Sequence, residues 1–126
     1  METEGVMIAV EPKDAAATPQ AVDRLERWLS AQEEFKGRVR TVDRPGADPA
    51  MGVVQDLLVE LGPDSVQVLA GALIRSLVAH LKTQRNDDLN IVIHHGDERL
   101  EVQADGMDRG RLEELELRIR QWLRGS

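Results

Sequence analysis

The densest run of side chains capable of acid–base or metal chemistry is His94-His95-Gly96-Asp97-Glu98. Imidazole and carboxylate together are common zinc and iron ligands, so these residues could hold an ion or relay a proton. Their spacing argues against a shared ion: neighbours along a strand point to opposite faces, and His94 and His95 converge only if the turn begins at His95. A hairpin tip is the simpler reading, with Gly96 where positive φ is cheapest. The third histidine, His80, lies on the flank of a long helical stripe with no partner nearby in sequence, and reads as a partly buried structural residue.

Nucleophilic catalysis needs a serine, threonine or lysine activated by a base that a third group orients. Ser30, Ser65 and Ser76 fall at a helix end, a helix start and mid-helix, and none sits in a Gly-x-Ser-x-Gly turn. Ser65 reads as a capping residue. Glycines 62, 71, 96, 106 and 110 match neither a phosphate loop nor the dinucleotide fingerprint, whose spacing brings backbone N–H groups against phosphates. The acidic pairs Glu33-Glu34, Asp87-Asp88 and Glu113-Glu114 lack the calcium-loop pattern and read as solvated surface. The chain has no cysteine, which excludes disulfides, thiolate metal sites and a cysteine nucleophile, and suits a reducing cytoplasm. The expectation is a protein without catalytic residues, cofactor or metal.

Charge narrows the partners. With 23 acidic against 16 basic residues the formal net charge is −7, a sign that repels phosphate backbones unless a basic patch overrides it. Lys36, Arg38 and Arg40, or Arg118, Arg120 and Arg124, come nearest to such a patch, but apolar or acidic neighbours interrupt both groups. One Phe, two Trp and no Tyr make no platform for stacked bases. Nucleic acid is therefore not expected as a partner. Neither is a membrane: the acidic start Met1-Glu2-Thr3-Glu4 is not a signal-peptide n-region, and Val66 to Leu81 is broken by Gln67, Gly71, Arg75, Ser76 and His80.

The elements that must position these residues follow from periodicity. Residues 5–11 alternate as a strand. Val22, Leu25, Trp28 and Leu29 recur at helical spacing over about 19–33, with Thr18-Pro19 as N-cap and first-turn pair and Asp23/Arg27 as an outer ion pair. Arg38 to Asp43 reads as a charged edge strand. Residues 44–50, with Pro45, Gly46 and Pro49, read as a mobile loop. Over 51–61 two periods compete: Val53, Val54, Leu57, Leu58 and Leu61 fit a helix, whereas Leu57, Val59 and Leu61 alternate like a strand. We read a helix there. A central helix spans about 64–84 on the stripe Val66, Leu69, Ala70, Leu73, Ile74, Leu77, Val78 and Leu81.

Two extended runs, Leu89 to His94 and Arg99 to Ala104, form the hairpin. The last helix, about 108–123, carries Leu112, Leu115, Ile119 and Trp122 inward, with Glu114/Arg118 and Glu116/Arg120 as surface pairs. Trp28 and Trp122 sit on apolar stripes and read as core residues, although tryptophan also serves as a docking anchor. If their helices lie side by side the two rings meet. The expected fold is α+β, a two-layer sandwich of order β-α-β-α-α-β-β-α, with helices on a four-stranded mixed sheet and residues 1–126 in one domain.

Several stretches resemble the effector-associated constant component family of actinobacterial conflict systems: Leu25-x-x-Trp28-Leu29, Pro45-Gly46 leading to Met51-Gly52, Asp56-Leu57-Leu58-Val59-Glu60-Leu61-Gly62, Leu69-Ala70-x-x-Leu73, and a Gly-Asp turn before Leu100-Glu101-Val102. The resemblance spans nearly the whole chain. The chain departs from it at Pro63-Asp64-Ser65, where relatives are richer in glycine, and at His80-Leu81, where many carry Trp-Leu. What the resemblance implies is a noncatalytic adaptor that couples or restrains an effector, such as a protease or toxin domain, in an NTP-dependent immune or programmed-death system, with an NTPase as a further partner; the cytoplasmic location is the expectation from composition. Two other readings stand beside it: a small metal-dependent enzyme using His94, His95, Asp97 or Glu98, and a scaffold that self-associates through the last helix.

Overall fold

The computed structural model describes residues 5–12, 15–43, 55–61, 66–83, 89–95, 97–102 and 108–124. Five strands and three α-helices occur in the order β1 (Gly5–Pro12), α1 (Thr18–Ser30), β2 (Val39–Asp43), β3 (Gln55–Glu60), α2 (Val66–Thr83), β4 (Leu89–His95), β5 (Glu98–Val102) and α3 (Arg109–Arg124). The strands form one sheet of order β2-β3-β1-β4-β5, and every neighbouring pair is antiparallel. The α+β class holds. The sheet, however, has five strands rather than four and is antiparallel rather than mixed.

The difference lies in residues 51–61. Positions 51–54 fall outside the described residues, and Gln55–Glu60 is a strand, not a helix. Pairing explains why the period of two prevails. Leu57 lies opposite Ile8 and Val59 opposite Val6, so both enter the core, while Leu58 turns to the other face and is half-buried. On its far side β3 pairs with β2, from Val39↔Val59 to Asp43↔Gln55. A helix at this position would leave β1 without a neighbour on that side, its buried N–H and C=O groups unsatisfied.

Parity along the strands assigns the two faces. Val6, Ile8 and Val10 of β1, Leu57 and Val59 of β3, Ile91 and Ile93 of β4, and Leu100 and Val102 of β5 share one face and one buried core. Ala21, Val22, Leu25 and Leu29 of α1, Leu69, Ala70, Leu73, Ile74, Leu77, Val78 and Leu81 of α2, and Leu115, Ile119 and Trp122 of α3 complete that core. All three helices therefore lie on one side. Ala9 and Val92 are also buried but belong to the opposite face, where they pair with each other. Among the described residues, no helix covers that face.

Local chemistry sets the boundaries. A 3₁₀ turn at Ala15–Ala17 runs directly into α1, so the capping position is Ala17 and Thr18 is already helical, one residue earlier than Thr18-Pro19 predicts. Pro19 sits in the first turn, where its missing N–H costs nothing. The helix ends at Ser30 instead of near 33, because Gln32 is extended and opens a 3₁₀ turn, Glu33–Phe35, that carries Phe35 fully into the core. Gly37, at φ 76°, then reverses the chain into β2, a backbone conformation natural for glycine.

Asp108 caps α3, its carboxylate accepting the Arg111 N–H at 2.8 Å. Gly71 of α2 lies under the Glu116 carboxylate of α3, where an added Cβ would approach within 2.8 Å, and this close approach accommodates the Glu116–Arg120 ion pair between the helices. The loop expected at 44–50 lies outside the described residues.

Alternation in β3 makes a direct prediction. Leu57→Asp places an unpaired charge in the core and is expected to cost more than about 4 kcal/mol, while Leu58→Asp costs under about 1.5 kcal/mol. Urea unfolding of the two variants checks this, and equal losses would argue for a helical 55–60.

Candidate functional site

The His94–Glu98 constellation does not converge. His94 pairs with Met7 and Arg99, which places it on the face away from the helices. His95 and Glu98 are opposite one another on the helix side. There α3 engages both: the Trp122 ring stacks on His95 with centroids 5.8 Å apart and planes 12° from parallel, and the indole N–H donates to Glu98 Oε2. Asp97 is exposed in the turn. Among the described residues, no three His, Asp or Glu side chains come together in a way that could hold a metal ion.

The remaining sequence candidates are distributed widely. Glu33 and Glu34 are exposed in the 3₁₀ turn, and Glu113 and Glu114 are exposed on α3, where Arg111 at 3.1 Å pairs with Glu114 in place of the expected Arg118. The other two expected pairs form, Asp23 with Arg27 at 3.0 Å and Glu116 with Arg120. Asp87-Asp88, Ser65 and glycines 62, 96 and 106 lie outside the described residues. Ser30 is half-buried at the end of α1.

Ser76 has a different role. Its hydroxyl accepts the Trp28 indole N–H at 3.0 Å and an amide N–H of Gln32, and its carbonyl accepts the same indole at 3.1 Å. Gln32 also donates to the Trp28 carbonyl at 3.2 Å. One turn further along α2, His80 is buried with its ring centroid 5.3 Å from that of Trp28. The two tryptophans therefore do not meet: Trp28 anchors α1 to α2, and Trp122 anchors α3 to the β4–β5 hairpin.

Sequence reasoning missed this polar seam between α1 and α2. The available signal was Ser76 and His80, four residues apart and so on one side of the helix, beside its apolar stripe. Burial disfavours the His80 imidazolium, and the Arg24 guanidinium disfavours it further, so its pKa lies below the ordinary 6.5. Its Nδ1 is buried and accepts no hydrogen bond among the described residues.

The second arrangement missed by sequence is the sheet face opposite the helices. Register places Arg40, Leu58, Met7, His94 and Arg99 in one cross-strand row over all five strands. Half-buried Leu58 and Met7 form its apolar middle, half-buried His94 follows, and exposed Arg40 and Arg99 are its ends. Beside it lie buried Ala9 and Val92, with exposed Glu101 paired to Val92. An amphipathic strip of this width suits contact with another protein surface better than enclosure of a small molecule.

These features define an α+β two-layer protein with one sheet face backed by helices and, among the described residues, a mixed apolar and charged strip on the other. The chain belongs to the Effector Associated Constant Component 1 family, whose model matches residues 13–122. No curated protein and no solved structure matches it. Among the described residues, no helix is long and apolar enough to cross a membrane.

The buried His80 predicts an acid weakness. A depressed folded-state pKa means that the unfolded chain binds the proton more readily, so stability present above pH 6.5 is lost as pH falls through 6.5 toward the folded value. His80→Leu is expected to flatten the loss between pH 7 and 5, before most carboxylates titrate. Urea midpoints at pH 7, 6 and 5 read it, and an unchanged slope in the variant would exclude His80 as the source.

Proposed function

We propose that the chain is a noncatalytic, cytoplasmic adaptor of a bacterial NTP-dependent conflict system, and that it docks to an effector protein through the sheet face its helices leave uncovered. Family membership supports association with an effector. The observation that carries the docking face is the row Arg40, Leu58, Met7, His94 and Arg99, an apolar centre with charged ends on a rigid sheet. Such a surface supplies the two parts of a protein interface, an apolar patch to be desolvated and polar groups around it to set orientation.

The rest of the fold supports this reading. The residues with the most evident catalytic chemistry, His95 and Glu98, are engaged by Trp122, and Ser76 is engaged by Trp28 and Gln32. These are contacts that hold helices to the sheet and to each other. A rigid platform of this kind suits a component that stays constant while its effectors vary.

The test is co-purification of the tagged chain with a protease- or toxin-type effector of the native host. Wild type is expected to retain the effector through washing. A Met7→Glu/Leu58→Glu double variant, checked for folding by circular dichroism, is expected to bind at least tenfold more weakly, as two charges forced against an apolar contact dictate. Equal retention would place the contact elsewhere, and no retention by wild type would refute the adaptor reading.

A further inference from the structure

We infer that two copies of this chain join edge to edge through β5, in antiparallel register about Leu100, to make one continuous ten-stranded sheet. This inference does not depend on the adaptor reading. Strand β5 ends the sheet: its inner side pairs with β4, and among the described residues no strand pairs with its outer side. An unpaired strand edge is a ready template for another strand.

The hairpin determines which backbone groups face outward. His95 and Glu98 pair across a connection of two residues, so they close the hairpin and exchange N–H and C=O groups. By alternation, Leu100 and Val102 also direct their backbone groups toward β4, whereas Arg99 and Glu101 direct theirs outward. The two residues able to form a new ladder are therefore the two oppositely charged ones.

Both side chains lie on the face away from the helices, 57% and 60% exposed, with Arg99 Nη2 3.8 Å from Glu101 Oε1 along the same strand. Antiparallel pairing about Leu100 places Arg99 of each copy opposite Glu101 of the other. It produces two reciprocal ion pairs and two pairs of exchanged backbone hydrogen bonds across one two-fold axis. Leu100 lies opposite Leu100, and the parity keeps both helix layers on the same side of the joined sheet.

The other sheet edge lacks this self-complementarity. The same construction on β2, about Thr41, sets Arg40 opposite Val42 and Val39 opposite Asp43, with no charge matched. The occupant of the β5 edge is therefore a second copy, selected by a charge pattern that is its own complement.

Sedimentation velocity of the full chain from about 10 μM to 1 mM reads the association. Wild type is expected to shift from monomer toward dimer across this range. Arg99→Glu sets glutamates against glutamates, and Glu101→Arg sets arginines against arginines, so each variant alone is expected to remain monomeric. Mixed in equal amounts they are expected to form a heterodimer, because every cross-strand pair is then opposite in charge. The Arg99→Glu/Glu101→Arg double variant is expected to dimerise like wild type. Both substituted positions are exposed, and circular dichroism of the three variants confirms folding. A wild type that stays monomeric at 1 mM overturns the inference. Single variants that dimerise as well as wild type overturn it too, by showing association through another surface such as α3.

Discussion

Val6, Ile8 and Val10 project from the central strand into the helix layer, with Leu57 and Val59 beside them on β3 and Ile91 and Ile93 on β4. The whole architecture depends on this row being buried from one side. Since the side-chain period of a strand is two, a slip of one residue between β1 and either neighbour would turn Leu57 or Ile93 outward and bring Leu58 or Val92 in. Against that face α2 supplies apolar residues over about half of its circumference, Leu69, Ala70, Leu73, Ile74, Leu77, Val78 and Leu81, and so it can touch the sheet, α1 and α3 together. A helix with a narrow apolar stripe could serve only one of those contacts.

The polar contacts inside this layer determine how the helices seat. Trp28 brings the largest ring of α1 to α2 while its N–H is satisfied by Ser76, so apolar area is buried without stranding a donor. Trp122 does the same for α3 and the hairpin through Glu98 and His95. On the far flank of α2, Gly71 leaves room for Glu116 and Arg120 to lie against the helix as a partly shielded pair. Each helix–helix or helix–sheet seam thus combines close apolar contact with one directional group, and the directional group limits sliding along the seam.

A one-sided helix layer has a consequence for function. The second sheet face keeps its own pattern, with small buried Ala9 and Val92 in the middle and Met7, Leu58 and His94 around them, and it carries the charged ends Arg40 and Arg99. The face and the β5 edge meet at Arg99 and Glu101, so a single pair of side chains borders both the proposed effector surface and the proposed contact between copies. In a joined pair the two effector-facing strips would lie on the same side of one sheet.

Much of this was legible in order. Strand β1, α1, α2, the hairpin and α3 each lie within a few residues of their expected place because their buried side chains are close together in sequence. Opposite placement of His94 and His95 also follows from local geometry, and with it the failure of the hairpin residues to converge. Residues 55–60 were not legible, since Leu57, Leu58 and Leu61 satisfy a helical period while Leu57, Val59 and Leu61 satisfy a strand. The choice was made by Ile8 and Val6, about fifty residues away in the chain, whose backbone needed a partner.

The strand count, the antiparallel order and the partners of the two tryptophans were decided in the same way, by contacts between distant segments. By itself the sequence determined the types of most elements, the absence of cysteine chemistry and the acidic charge, because those depend on neighbouring residues or on composition. Only the tertiary structure decided which face of the sheet is covered, that Ser76 and His80 meet Trp28, and that β5 lies at an edge, because each of these is a matter of which remote surface arrives opposite which.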